Sequence, residues 1–255
     1  MNVMETFSLR GKTALVTGGA GLYGRQIVEA LCEAGAKTYI ASRNLPQLEQ
    51  VAHATGALPL ELDLASQDSM DQLAKRIDAE SNGLDILINN AVTRCAVASW
   101  DAPLEVFDQS FHINASALFY LTRVAAELMK RCQKGSIINI GSYMGLLGPN
   151  PTNYEGTDMT TDSPIYFYEK GGMVNFTRWA AGTLGPWHIR VNCICAGGLE
   201  HDQPQAFRKN YARNTMLGRL AGPTDLKGIV VFLASDASAY ITGTNIPVDG
   251  GYSAK

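Results

Sequence analysis

The sequence predicts an α/β protein, with a doubly wound parallel β-sheet flanked by helices on both faces. Two observations predict it. The chain opens with a short apolar β-rich run, a cluster of glycines and a helical pattern. Short apolar runs and helical patterns then alternate to the C-terminus. Such alternation gives a parallel sheet covered on both sides.

The first strand is read at Lys12–Thr17, and the helix after it at Arg25–Ala34, ending before Gly35. A second strand follows at Lys37–Ser42. Further strands are expected at Ala57–Leu62, Leu84–Asn89, Ser136–Gly141, Arg190–Cys195 and Thr244–Val248. Each is a short β-rich apolar run. Helices are expected at Gln67–Glu80, Pro103–Cys132, Ser163–Leu184 and Pro223–Leu233. No linker, internal repeat or low-complexity tract divides the chain. Residues 1–255 are read as one dinucleotide-binding Rossmann domain with its active site built in, beyond the carboxyl ends of the strands.

The glycine cluster carries the nucleotide reading. Gly18, Gly19, Gly21 and Gly24 lie between the first strand and first helix, and three of them form G-x-G-x-x-G. Glycines let the backbone turn tightly and approach a pyrophosphate, and the helix N-terminus offers free N–H groups and a positive dipole end. The second strand arrives on the schedule of a mononucleotide-binding unit. At its end, where a carboxylate would bind the ribose 2′-hydroxyl of NAD, stand Ser42 and Arg43. A guanidinium binds a 2′-phosphate through paired hydrogen bonds, so NADP is favoured over NAD.

Tyr166 and Lys170 lie four apart, on one face of the predicted helix 163–184. An ammonium beside a phenol favours the phenolate. Such a pair takes a proton from an alcohol or gives one to a ketone. Upstream, Ser142 stands at the end of a predicted strand, placed to donate a hydrogen bond to an oxygen that gains charge.

With these motifs in place the chain resembles the short-chain dehydrogenase/reductase family, in its short single-domain branch, from about Leu9 to the C-terminus. Thr17-Gly-Gly-Ala-Gly-Leu-Tyr-Gly24 stands for T-G-x-x-x-G-x-G, and Asn89-Asn90-Ala91 for the segment that steadies the central strand. Ile189-Arg-Val-Asn192 and Ile246-Pro-Val-Asp-Gly-Gly251 match late segments. The resemblance implies a catalytic set of Asn114, Ser142, Tyr166 and Lys170. In it Asn114 holds a proton-relay water, Tyr166 exchanges the proton and Lys170 bonds the nicotinamide ribose. It places Asp63 against the adenine ring. Leu22, Tyr23, Leu64, Asn90, Ala91, Gly197 and Leu199 complete the expected cofactor contacts, together with Tyr166 and Lys170.

The chain departs from the family pattern in several places. Leu22 replaces the middle glycine, Val92 follows Ala91, and Ala196-Gly197 stands for Pro-Gly. His201 stands where a threonine often holds the carboxamide, as a replacement donor, a substrate contact or a loop residue without a role.

Composition fits an enzyme. Charged residues make up 18% and hydrophobic ones 46% of 255 residues, with net charge −3. That balance offers nothing to nucleic acid or an anionic membrane surface. Cys32, Cys95, Cys132, Cys193 and Cys195 lack metal-ligand spacing and are read as reduced thiols. No signal-peptide core or long apolar run occurs, so a cytoplasmic location is expected.

Two segments bear on substrate. Tyr166 stands 24 positions after Ser142, further than is usual in the family. The inserted loop, 146–163, is polar and offers Tyr154 and Glu155 to a hydroxyl-rich substrate, or serves as a surface or subunit contact. It is similar to insertions in family members that modify sugars or glycans. The second segment, 199–217, matches the family's substrate lid and is rich in charged residues. A small polar ketone or secondary alcohol is therefore expected as substrate, possessing a sugar-like character. Arg94 is a candidate for an anionic substrate group or a solvated charge. The resemblance further implies a homotetramer, with a dimer as alternative, through the helices 103–132 and 163–184 and the C-terminal region. Two other readings stay open: an epimerase or dehydratase using transient oxidation, and a dinucleotide sensor without catalysis.

Overall fold

The computed structural model describes residues 2–94, 100–159 and 163–255. Its centre is one seven-stranded parallel sheet. The strands are β1 Thr13–Thr17, β2 Lys37–Ser42, β3 Leu58–Glu61, β4 Ile86–Asn89, β5 Gly135–Ser142, β6 Ile189–Ala196 and β7 Asn245–Val248. Their spatial order is β3-β2-β1-β4-β5-β6-β7. All seven predicted strands are present, with ends displaced by one or two residues. The order reverses between β1 and β4, which opens a crevice at their carboxyl ends.

The helices are α1 Leu22–Glu33, α2 Leu45–Thr55, α3 Gln67–Ser81, α4 Leu104–Phe111, α5 Leu118–Cys132, α6 Pro164–Leu184, α7 Gln205–Asn214 and α8 Lys227–Ala234. Successive strand residues point to opposite faces, and the core divides accordingly. Leu15, Tyr39, Leu87, Ile137 and Val191 pack under α3, α5 and α6. Ala14, Val16, Ile40, Ile88, Ile138 and Ile194 pack under α1, α2 and α8. Fully burying one such Leu or Ile contributes about 1.5–3 kcal/mol.

Four differences from the expected helices stand out. α1 begins at Leu22 rather than Arg25, because Gly21 is already its N-cap. α8 begins at Lys227, after a turn over the residues expected to start it. α2 and α7 lie in segments where no helix was expected. The expected helix Pro103–Cys132 is interrupted: a π-helical segment, His112–Ala117, separates α4 from α5. π segments are rare and often occur at functional sites. Here the cause is Asn114, whose side chain bonds the backbone of Thr93 outside the helix.

A polar ladder crosses the sheet beneath the crevice. Asn89 donates to Asn139 and Thr122, and Asn139 donates to Thr177, all within the core. Each buried amide finds partners, as burial requires.

Candidate active site

The crevice is bounded on one side by the turn after β1. Gly18 has φ +66°, a conformation that side chains disfavour. A Cβ on Gly24 would sit 2.2 Å from the Gly18 carbonyl oxygen, and one on Gly19 would sit 2.9 Å from Ile40 Cβ. Gly21 caps α1 with extended backbone and no side-chain hydrogen bond. The turn is therefore packed backbone leading into open helix amides, Leu22, Tyr23 and Gly24 among the first of them. That is a cradle for a phosphate, and it fits a dinucleotide.

β4 closes the other side. Asn90 donates through its amide to the carbonyls of Thr17 and Gly18 at 3.0 and 2.9 Å. The Thr17 hydroxyl accepts from the N–H groups of Asn90 and Ala91. These bonds staple the end of β4 to the glycine turn. Across the crevice, Tyr23 donates to the Gly197 carbonyl at 2.7 Å. Ser42 ends β2, and the exposed Arg43 follows it with no ion pair among the described residues. Asp63 accepts from the N–H of Ala65, and Leu64 packs against the core beneath. Leu199 pairs with Ala221 in a short bridge.

The predicted catalytic residues come from three elements. Ser142 ends β5, is 5% exposed, and caps a short 3-10 turn by accepting from the N–H of Met144. That turn, 143–145, packs directly on α6: a Cβ at Gly145 would lie 2.5 Å from the Lys170 carbonyl oxygen. Tyr166 and Lys170 lie on α6. The Lys170 ammonium is buried, donates to the Ile140 carbonyl at 2.8 Å, and sits 5.6 Å from the centre of the Tyr166 ring. The Arg94 guanidinium sits at the same distance from that ring. The Ile140 carbonyl that Lys170 bonds lies two residues before Ser142 on β5.

Asn114 is buried, and its side chain is fully engaged. It accepts from the N–H of Thr93 and donates to the Thr93 carbonyl, Ser110 and Glu169. Sequence reading missed Glu169, Ser110, Thr93 and Gly145. A signal existed for Glu169: it falls four residues after Ile165 and four before Met173, on the buried stripe of α6.

The segment 199–217 buries more aromatic surface than its charged sequence implies. α7 turns Phe207 and Tyr211 inward, while Lys209 and Arg213 face out. Tyr143, Tyr211, Tyr252 and Phe207 form one cluster, and Tyr154 of the insertion packs edge-on against Phe207. Burial pushes the phenols of Tyr23, Tyr143 and Tyr211 well above their ordinary value. They stay protonated, as hydrogen-bonding fixtures. Tyr211 accepts from the N–H of Gly198, and Asn153 donates to Tyr252. The insertion is docked on the lid: Asn210 donates to the Glu155 carbonyl, and Asn214 donates to Asn153. The Glu155 and His201 side chains are exposed. Residues 160–162 of the insertion, and Cys95, lie outside the described residues. Cys32, Cys132, Cys193 and Cys195 are free thiols. No described helix is long and apolar enough to cross a membrane, and no described cluster has metal-ligand composition.

Comparison with known proteins agrees with this geometry. The family model described as Enoyl-(Acyl carrier protein) reductase matches residues 21–253. Cyclopentanol dehydrogenase of Comamonas is 33% identical, over 95% of this chain and 97% of its own. A short-chain dehydrogenase from Leptospira borgpetersenii, solved with bound NAD+, is 30% identical with a TM-score of 0.88, covering 98% of this chain and 95% of that one. The NADPH-dependent 3-quinuclidinone reductase from Rhodotorula rubra is 27% identical with a TM-score of 0.88, covering 100% of this chain and 96% of that one.

Proposed function

The chain belongs to the short-chain dehydrogenase/reductase family, oxidoreductases that act on CH–OH and keto groups, and from that premise we propose that it interconverts a small polar secondary alcohol and its ketone. The observation that supports this reading is the approach of Lys170, four residues after Tyr166 on α6, to the Ile140 carbonyl, two residues before Ser142 at the end of β5. A bound nicotinamide supplies or accepts the hydride. The protein does the rest. Ser142 donates a hydrogen bond to the substrate oxygen. Tyr166 gives that oxygen a proton during reduction and takes it back during oxidation. Lys170, which donates to the Ile140 carbonyl, places its positive charge beside the phenol and would be the residue to hold the nicotinamide ribose. Gly18, Gly19, Gly21 and Gly24 would hold the pyrophosphate, Asn90 and Ala91 the nicotinamide half and Asp63 the adenine half.

NADP is favoured over NAD, because Arg43 follows the end of β2 and makes no ion pair among the described residues. One structural neighbour was solved with bound NAD+ and another is NADPH-dependent, so the preference proposed here rests on Arg43. The retained Tyr166 and Lys170 favour catalysis over a sensor role. The test is the variant Tyr166→Phe. Turnover is expected to fall by about 10²–10⁴ with cofactor affinity retained. Unchanged turnover would overturn the assignment of Tyr166.

A further inference from the structure

Glu169 precedes Lys170 on α6, yet the chemistry above gives it no part. Its side chain is buried, 7% exposed. One carboxylate oxygen accepts from the Ser110 hydroxyl at 2.7 Å, and the other accepts from the Asn114 amide at 2.9 Å. Among the described residues it has no ion pair. A buried carboxylate without a cation is costly, and neutral donors offset only part of that cost. An apolar residue would continue the stripe of Ile165 and Met173 at lower cost.

The geometry explains what the carboxylate does. Both of its oxygens are acceptors only. It therefore dictates that Ser110 donates and that the NH2 end of Asn114 faces α6. The Asn114 oxygen is then left pointing at the N–H of Thr93, where it accepts at 2.9 Å. The same amide donates to the Thr93 carbonyl at 2.9 Å. A flipped Asn114 would set its oxygen against the carboxylate and lose both Thr93 bonds. The chain of contacts runs from Glu169 through the π segment to Thr93. It ends beside Arg94, whose guanidinium lies over the Tyr166 ring. It thus starts three residues beyond Tyr166 and returns to the same ring.

We propose that Glu169 is a positioning residue for the Tyr166–Lys170 centre: it fixes the Asn114 amide and the Ser110 hydroxyl, and so holds the π segment 112–117 and the Thr93–Arg94 backbone against the catalytic helix. The effect on turnover rests on the oxidoreductase reading, whereas the effect on backbone order does not.

The experiment compares wild type, Glu169→Ala and Glu169→Gln by amide hydrogen exchange and by steady-state kinetics. In Glu169→Ala, the Ser110 hydroxyl loses its acceptor and the Asn114 amide loses one of its three, keeping the Thr93 carbonyl and the Ser110 oxygen. Exchange at Thr93 and across 112–117 is expected to speed up about tenfold or more. kcat is expected to fall about ten- to a hundredfold, with KM for the ketone changing by less than about threefold. Glutamine offers an oxygen to Asn114 and an NH2 to the Ser110 oxygen. Glu169→Gln is therefore expected to recover the protection and most of the lost kcat. Unchanged Thr93 exchange in Glu169→Ala would overturn the proposal. So would a Glu169→Gln variant as loose and as slow as the alanine form, because the negative charge would then be what matters. If Glu169→Ala does not fold, Ser110→Ala serves in its place, with faster exchange across 112–117 expected and unchanged exchange overturning the proposal. A wild-type protein that turns over no ketone or alcohol would overturn the oxidoreductase reading alone, and the exchange data would still decide the role of Glu169.

Discussion

At the scale of residues, the proposed preference for NADP rests on Arg43. It is exposed at the end of β2, beside Ser42, and no described acidic group competes for its guanidinium. Charge-assisted hydrogen bonds to a phosphate are worth about 1.5–3 kcal/mol. We therefore expect Arg43→Ala to weaken NADPH binding about ten- to a hundredfold and NADH binding little, as read by titration of nucleotide fluorescence. Wild-type protein that binds NADH as tightly as NADPH would remove the preference. Residue identity also explains what sequence reading sees and misses. Tyr166, Lys170 and Ser142 stand out in the sequence because they occur together, downstream of the glycine turn and in a fixed order, whereas each alone reads as an ordinary helix or strand-end residue. Glu169 is hidden because a glutamate on a helix is ordinarily solvated. Only the approach of Ser110 and Asn114 from a distant part of the chain shows that it is buried.

At the scale of elements, the strands were legible because parallel strands buried on both faces read as continuous apolar runs. The helices were harder. α2 carries readable signals: Asn44 caps it by accepting from the N–H of Gln47, Pro46 lies in its first turn, and Gly56 ends it in the left-handed region. It buries only Leu48 and Val51, so its periodicity is faint. α7 hides its pair Phe207 and Tyr211 among charges. The π segment has no local signature, because it exists through the bonds between Asn114 and Thr93. Another elemental feature points outward. α5 and α6 present Phe119, Phe176 and Trp179 as one ring cluster, with Trp179 57% and Phe119 42% exposed. An exposed aromatic patch on paired helices suits self-association. We propose that this face is the homo-oligomer contact, of a tetramer or of a dimer. Trp179→Glu is then expected to lower the sedimenting mass of the protein by half or more, and an unchanged mass would contradict the assignment.

At the scale of the whole molecule, topology places the chemistry. The reversal of strand order between β1 and β4 opens the crevice, and Asn90 and Tyr23 pull its walls into register. The carboxyl end of β5, with Ser142, lies next to β4 in the sheet, at the same end as the glycine turn after β1. This much was readable, because the motifs occur in a fixed order along a chain whose fold is set by that order. The insertion docked on the lid was not, since its contacts are hydrogen bonds between polar side chains and backbone that leave no periodic trace. Substrate identity lies at this same boundary, where aromatic and polar surfaces meet. The most direct test is transfer of label. Purified protein is given NADPH deuterated at the transferable position of the nicotinamide and a panel of small cyclic and polyol ketones. The account predicts deuterium on the carbinol carbon of at least one product, with the oxygen-bound proton drawn from solvent. Consumption of no ketone, or products that carry no deuterium on that carbon, would contradict it.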